Sequence, residues 1–347
     1  MSLPKLKERI REAAGRRTPL RLRGGGTKDF YGNEPRGELL DTSSHAGIVS
    51  YEPTELVLTA RCGTPLYEVE SVLQTNHQML AFEPPHFGAG ATFGGCIAAG
   101  LSGPRRASAG ALRDFVLGAR LVDGRGRELA FGGQVMKNVA GYDLARLVAG
   151  SLGTLALIAE ASVKVLPIPA AEVTMEREVT HEEALETMNR WAGQPLPVSA
   201  TAWHSGVLRV RLSGAAAAVR VARERIGGAE VHGAGAFWSG IREHADAFFA
   251  GDEPLWRLAL PPNCPPLDLP GRMMIEWNGA LRWLKGSADP REAARHAGGH
   301  ATLFRAARKA GGTFAPLDPV LLRLHRELKA AFDPGGVLNP GRMYEEL

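Results

Sequence analysis

Cysteine is scarce in this chain: Cys62, Cys96 and Cys264 are the only three in 347 residues, and no two form a CxxC pair. That spacing excludes a zinc ribbon or an iron–sulfur cluster built from this chain alone. An odd, sparse count suits a reducing cytoplasm. No apolar run reaches the ~18 residues of a membrane span, and the N-terminus lacks the apolar core of a signal peptide. Basic residues are spread rather than clustered, and the formal net charge is a mild +4. Nucleic-acid binding would call for a basic stripe, so no nucleic-acid partner is expected. Two nucleotide motifs are also missing. A Walker loop needs Gly-Lys-Ser/Thr, but Asp29 follows Lys28. A Rossmann turn needs G-x-G-x-x-G, and Phe93 fills the third glycine position after Gly88 and Gly90.

What the chain has instead is glycine in three runs. Arg23-Gly24-Gly25-Gly26-Thr27 follows an alternating strand at Pro19–Leu22. Glycines at a strand end permit close approach of a ligand, and consecutive amides there form an anion nest; a plain tight turn is the alternative. A second run, from Pro84 to Gly100, is almost free of large polar side chains, and a third spans Val148–Leu155. Together they suggest one extended ligand crossing several loops.

The rest reads as an α+β chain with 44% hydrophobic and 22% charged residues. Leu3, Leu6, Ile10 and Ala13 mark an amphipathic helix. Strands are expected near 48–51, 55–60, 115–122, 128–131 and 156–165, with a helix from Thr64. Pro167-Ile168-Pro169 marks a boundary. Beyond it come a strand at 172–179, helices at 182–191 and 215–226, and strands at 200–203 and 207–212. In the last of these Arg209 and Arg211 form a charged face opposite Leu208, Val210 and Leu212. Met274–Leu284 reads as a hairpin with a two-residue Asn278-Gly279 turn. The expected organisation is a first domain over 1–170, an α+β cap over 171–316, either a substrate lid or purely structural, and a tail over 317–347. In the tail, Asp318-Pro319 caps a helix and Asn339 is offered to the ligand.

These motifs resemble the FAD-binding domain of the vanillyl-alcohol oxidase and p-cresol methylhydroxylase superfamily, and more closely the E subunits of bacterial glycolate oxidases. The residues that carry the resemblance are Arg23–Lys28, Ala91–Gly95, Gly103–Arg106, Arg113–Gly118, Lys137–Leu144, Gly150–Leu155 and Leu338–Gly341. The resemblance implies a two-lobed FAD-binding domain with a smaller cap and a tail returning to the first domain. It implies that Gly24, Gly25, Gly26 and Thr27 hold the pyrophosphate, and that Thr92, Gly94, Gly95, Gly150 and Gly153 continue the cradle. Arg23, Pro85, Gly103, Arg106, Gly110, Asp114 and Asn339 complete the expected FAD-binding set. The first loop has no His, so the FAD is expected to be noncovalent, with Cys96 a small buried thiol.

The implied activity is oxidation of glycolate, a 2-hydroxy acid, to glyoxylate, with electrons relayed to a second flavoprotein subunit and an iron–sulfur subunit. The implied location is cytoplasmic, with any membrane association through partner subunits. An autonomous FAD oxidoreductase and a non-catalytic scaffold are the alternatives. Catalytic residues stay unassigned: the His-rich metal motif of the family's catalytic subunits is absent, and no metal is expected at His296 and His300. Arg105 and Arg106 stand as cations for the flavin edge or, equally, as a solvated pair.

Overall fold

A computed structural model describes residues 1–133, 143–309 and 311–347. The Lys137–Tyr142 part of one family motif lies outside the described residues. A five-stranded antiparallel sheet runs in the order Ile48–Glu52, Val57–Arg61, Leu157–Lys164, Val116–Val122, Glu128–Gly132. Helices Leu66–Thr75 and Phe93–Ala99 cover one of its faces, burying Leu66, Val69, Leu73, Phe93 and Ile97 against Leu58, Val116 and Val163. Beside it, strand Leu20–Arg23 pairs in parallel with Glu38–Asp41. The N-terminal helix Leu3–Arg16 closes that side with Leu6, Ile10 and Ala13, each at most 1% exposed. This is the amphipathic pattern expected of the sequence.

A second, eight-stranded antiparallel sheet draws all its strands from residues 171–305. Helices His181–Ala192 and Ala216–Ile226 pack on it through Leu185, Met188, Val219 and Ile226. Thr180 and Glu183 cap the first of these reciprocally, each accepting the other's backbone amide, which satisfies two otherwise orphaned donors. The two sheets meet in a shared aromatic core. Tyr31, Leu101 and Leu152 from the first part pack with Trp238, Trp277, Trp283 and Phe304 from the second.

One local expectation is corrected. The Asn278-Gly279 hairpin has a four-residue loop, since Glu276 pairs with Leu281 and Trp277–Ala280 lie between. Trp277 and Asn278 both take left-handed backbone, φ 53° and 56°. Tertiary contacts hold this unfavourable geometry. The Trp277 indole donates to Gly103 O at 3.0 Å, and the Asn278 amide and side chain bond Thr201. The charged face of strand Val207–Gly214 is partly buried, with Arg209 half-exposed. Arg211 is only 4% exposed and reaches the Glu83 carboxylate at 2.8 Å. Glu83 and Glu172 also hold Arg105, at 3.3 and 2.8 Å. That network ties the two parts together, and it removes Arg105 from the candidates for contact with a flavin.

The tail returns to the first sheet. Asp318 accepts the amides of Val320 and Leu321 and so caps helix Pro319–Phe332. Leu321 stays 46% exposed, while Lys329 is buried. Its ammonium donates at 2.7 Å to Thr154 O, to Leu338 O and to Asp333. Asp333 in turn accepts the amides of Val337 and Leu338. Among the described residues no helix is long and apolar enough to cross a membrane. Replacing one partner of a buried ion pair leaves the other uncompensated. Lys329→Met is therefore expected to lose about 3–5 kcal/mol of unfolding free energy in urea; an unchanged midpoint would refute this role.

Candidate functional site

The glycine loop ends strand Leu20–Arg23 and lies directly against the second glycine run. A Cβ on Gly25 would stand 1.4 Å from Gly90 O, and one on Gly24 would stand 2.3 Å from Thr92 Oγ1. These two glycines are needed because one backbone passes over another, which corrects the simpler idea that they serve only to admit a ligand. Gly26 has φ +73°, a left-handed conformation that glycine adopts without strain. Thr92 caps helix Phe93–Ala99, its hydroxyl accepting from Gly95 N at 3.3 Å. A Cβ on Gly95 would meet only that hydroxyl, at 3.0 Å, so its remaining surroundings are open groove.

The groove between these loops is open to solvent, with about 90 Å³ of space that a water can enter. Arg23, Gly24, Gly25, Gly26, Thr27, Thr92, Gly95 and Asn339 line it together, as do Arg21, Lys28 and Arg342. A continuation with about 70 Å³ of such space shares Leu22, Arg23, Gly24, Gly95 and Asn339 and adds Gly94 and Gly153. Arg21, Arg23, Lys28 and Arg342 line the first section with one carboxylate, Asp29, which pairs with Arg23 at 2.7 Å. Among the described residues, no protein acceptor takes the amides of Gly25, Gly26 or Thr27. Free amides at a positive-φ turn in a basic groove suit an anion such as a diphosphate.

Several side chains hold the loops rather than face a ligand. Arg342 donates to Asp29 O at 2.8 Å and to the carbonyls of Asn33 and Tyr31, and burial brings its pKa down to about 10. Asn339 has both ends of its amide engaged, accepting from Leu22 N at 2.7 Å and donating to Leu152 O at 2.6 Å. Gly150 lines neither groove section. It packs where a Cβ on Gly100 would come within 2.7 Å of it, buttressing the Phe93–Ala99 helix from behind. The side chain of Asp114 accepts the Ala111 amide at 2.9 Å, and Gly110 lies beside Asp114; neither lines the groove. Cys96 is buried, its thiol pushed up to about 12 by desolvation.

A third, small cavity of about 20 Å³, room for little more than one water, lies between the glycine-run loops and the second sheet. Pro85 and Gly103 line it, and Arg106 stacks nearby on Trp277 at 4.5 Å. A separate open pocket shares Phe87 and Arg242 with this cavity and Thr27 with the glycine-loop groove. Glu243 holds the connecting loop, accepting the amides of His86 and Phe87 at 3.0 and 2.8 Å.

Three residues of this cavity escaped the sequence reading: His244, Arg257 and Glu276. Arg257 and Glu276 are isolated in sequence among apolar or aromatic neighbours, and His244 sits in a charged stretch, Arg242-Glu243-His244-Ala245-Asp246, with no motif to mark it. Glu276 is 3% exposed, accepts from the Trp283 indole at 2.7 Å, and is pushed by burial up to about 7. Desolvation and then the charges of Arg305 and Arg257 hold the His244 imidazole well below its usual pKa. Among the described residues no group of three or more His, Cys, Asp or Glu side chains is placed to hold a metal ion.

Known families match at both ends of the chain. The FAD binding domain family matches residues 2–132, and the C-terminal domain of FAD linked oxidases matches residues 308–343. The chain is 50% identical over 345 residues to the glycolate oxidase subunit GlcE of Escherichia coli, covering 99% of this chain and 97% of that one. It is 34% identical over 161 residues to the glycolate oxidase subunit GlcD of Bacillus subtilis, 46% of this chain and 34% of the relative. It is 35% identical over 152 residues to a D-lactate dehydrogenase of Archaeoglobus fulgidus, 43% and 33% of the two chains. The solved structure of alkyldihydroxyacetonephosphate synthase superposes with a TM-score of 0.66 at 15% identity, covering 97% of this chain and 74% of that one; it shares the fold.

Two predictions come from this geometry. Gly25→Ala drives a methyl into Gly90 O, so it is expected to cost about 1–3 kcal/mol or more. It should lower the melting temperature and flavin content together; a stable, fully loaded variant would contradict the loop contact. For Glu276 the folded state favours the protonated carboxyl. Its contribution to stability is complete below the ordinary carboxylate range and is lost as pH rises toward about 7. Glu276→Gln should abolish that loss, worth about 3 kcal/mol. Parallel pH–stability curves for the two proteins would show the pKa displacement to be absent.

Proposed function

We propose, because this chain belongs to the GlcE family of glycolate oxidase subunits, that it binds FAD along the glycine-loop groove and serves the oxidation of glycolate to glyoxylate. The observation that carries this reading is the basic groove lined by free amides where two glycine-rich backbones touch. Gly25, Gly26 and Thr27 offer amides to the pyrophosphate, with Gly24 giving the close approach behind them. Arg23 and Lys28 supply positive charge. Thr92, Gly94, Gly95 and Gly153 form the walls, while Asn339 and Arg342 fix the loops. Pro85, Gly103 and Arg106 stand toward the cap, where the redox end of the cofactor would lie. Gly110, Asp114 and Gly150 support the cradle from outside it. When bound, the flavin supplies the acceptor for a hydride from the hydroxyl-bearing carbon.

The FAD is held without a covalent bond. The first loop offers no His, and the Cys96 thiol is buried away from the groove lining with its pKa raised. The chain acts in a complex with a GlcD-like subunit, since both relatives are glycolate oxidase subunits. The resemblance implies an iron–sulfur partner to which the electrons pass; Cys62, Cys96 and Cys264 of this chain are all buried and lie apart in sequence. Three free thiols also fit a reducing cytoplasm. Anaerobic addition of glycolate to the flavin-loaded chain, alone and with its partner subunits, tests the reading. Bleaching of the visible flavin absorbance is expected with the partners present. Bleaching by the chain alone would favour an autonomous oxidoreductase. A colourless chain that takes up no FAD would make it a scaffold.

A further inference from the structure

The large apolar side chains that stay exposed are not spread evenly over the surface. Leu39, Val49, Tyr67 and Val221 each stand alone in their own element, whereas Val320, Leu321 and Leu324 share helix Pro319–Phe332. These three are 57%, 46% and 45% exposed, and the half-buried Leu328 continues the stripe. Their spacing sets all four within an arc of about 100° on the helix. His325, one turn beyond Leu321, stands beside the Tyr344 ring, with centroids 6.0 Å apart. Tyr344 lines, with Phe314 and Pro316, a pocket with about 560 Å³ of space that a water can enter. The rim of that pocket is acidic. Its cations are engaged: Arg36 meets Glu345 at 3.0 Å, and Lys309 donates to the carbonyls of Phe30, Gly32 and Phe304. Glu34 and Glu346 have no ion-pair partner among the described residues. Thr313 lines the same pocket, is fully buried, and its hydroxyl has no hydrogen-bond partner among the described residues. An unmade bond of that kind costs free energy until a partner group supplies it.

We propose that this face docks the GlcD-like subunit of the complex, through an apolar ridge of that subunit that carries an arginine or lysine to Glu34 and Glu346 at the pocket rim. The assignment rests on the reading of this chain as one subunit of a glycolate oxidase. Contiguous exposed apolar surface marks association sites, whereas single exposed apolar residues do not. One helical stripe is small against the ~800 Å² that each side of a stable complex contributes. The pocket beside it adds area, depth and charge. Interfaces of this kind are anchored by a few buried side chains, arginine prominent among them. The sign of the rim chooses the partner: it attracts a cation set in an apolar surface and repels an acid. A second copy of this chain answers that demand poorly, since the outer edge of its own stripe carries Arg323 already opposite Glu327 at 3.8 Å.

Titration of the full, FAD-loaded chain with the GlcD-like subunit of the same organism, followed by calorimetry and sedimentation, tests it. Wild-type protein is expected to form the complex, and added salt to weaken it. Leu324→Glu puts a charge in the apolar stripe and is expected to raise the dissociation constant about tenfold or more. Glu34→Lys combined with Glu346→Lys should do the same, and the corresponding double Gln variant should flatten the salt dependence. Val221→Glu, at a lone exposed site, should bind as wild type does. Every one of these positions is exposed, and melting temperature and flavin content, read on the same samples, should stay at wild-type values. Unchanged affinity in Leu324→Glu or in the double Lys variant overturns the proposal and leaves the subunit reading standing. No complex with the wild-type chain overturns both. A chain that sediments alone as a dimer, and that Leu324→Glu makes monomeric, gives this face to a second copy and also overturns the proposal.

Discussion

Backbone packed on backbone is the contact from which the rest of this structure follows. Gly24 and Gly25 cross Gly90 and Thr92 at distances that admit no Cβ. Because nothing intervenes, the free amides just beyond strand Leu20–Arg23 share a basic groove with Thr92 and Gly95 at the start of helix Phe93–Ala99. Any side chain at the crossing would separate the loops and spread these donors beyond the reach of one anion.

Such a crossing has to be held from outside, and buried cations of the C-terminal segment do so. Lys309 donates to the carbonyls of Phe30 and Gly32, Arg342 to those of Asp29, Tyr31 and Asn33, and Lys329 to those of Thr154 and Leu338. Desolvation lowers the pKa of all three, that of Lys309 to about 8. A cation buried among carbonyls answers several acceptors that irregular loops leave unpaired. The family match over residues 308–343 covers these three anchors. The tail is thus part of the groove's construction, although it lies far from the glycine loop in sequence.

The second sheet contributes differently. Its strands place Arg257, Glu276 and Trp283 beside His244, and the salt-bridge network of Glu83, Glu172, Arg105 and Arg211 fixes it to the first part. Arg257 and Arg106 stand outside it, both stacked on the Trp277 ring and without an ion-pair partner among the described residues.

The sequence by itself determined the elements whose residues carry their own instructions. Helix Leu3–Arg16 follows from 3.6-residue spacing, helix Pro319–Phe332 from Asp318 and Pro319, and the glycine loop from a strand running into three residues without side chains. Most strands, and the change of architecture after Pro169, follow from local alternation. The tertiary structure alone decided which charges are available. Arg105 and Arg211 look like surface residues in sequence and are buried partners of Glu83, whereas Arg257, unremarked in sequence, stands unpaired. It also decided the Trp277–Ala280 loop, where bonds to Gly103 and Thr201 override the short turn that Asn-Gly prefers locally. Periodicity and capping are properties of neighbouring residues, so sequence displays them. Charge pairing, desolvation and the meeting of two backbones depend on distant segments, and exist only once the chain has folded.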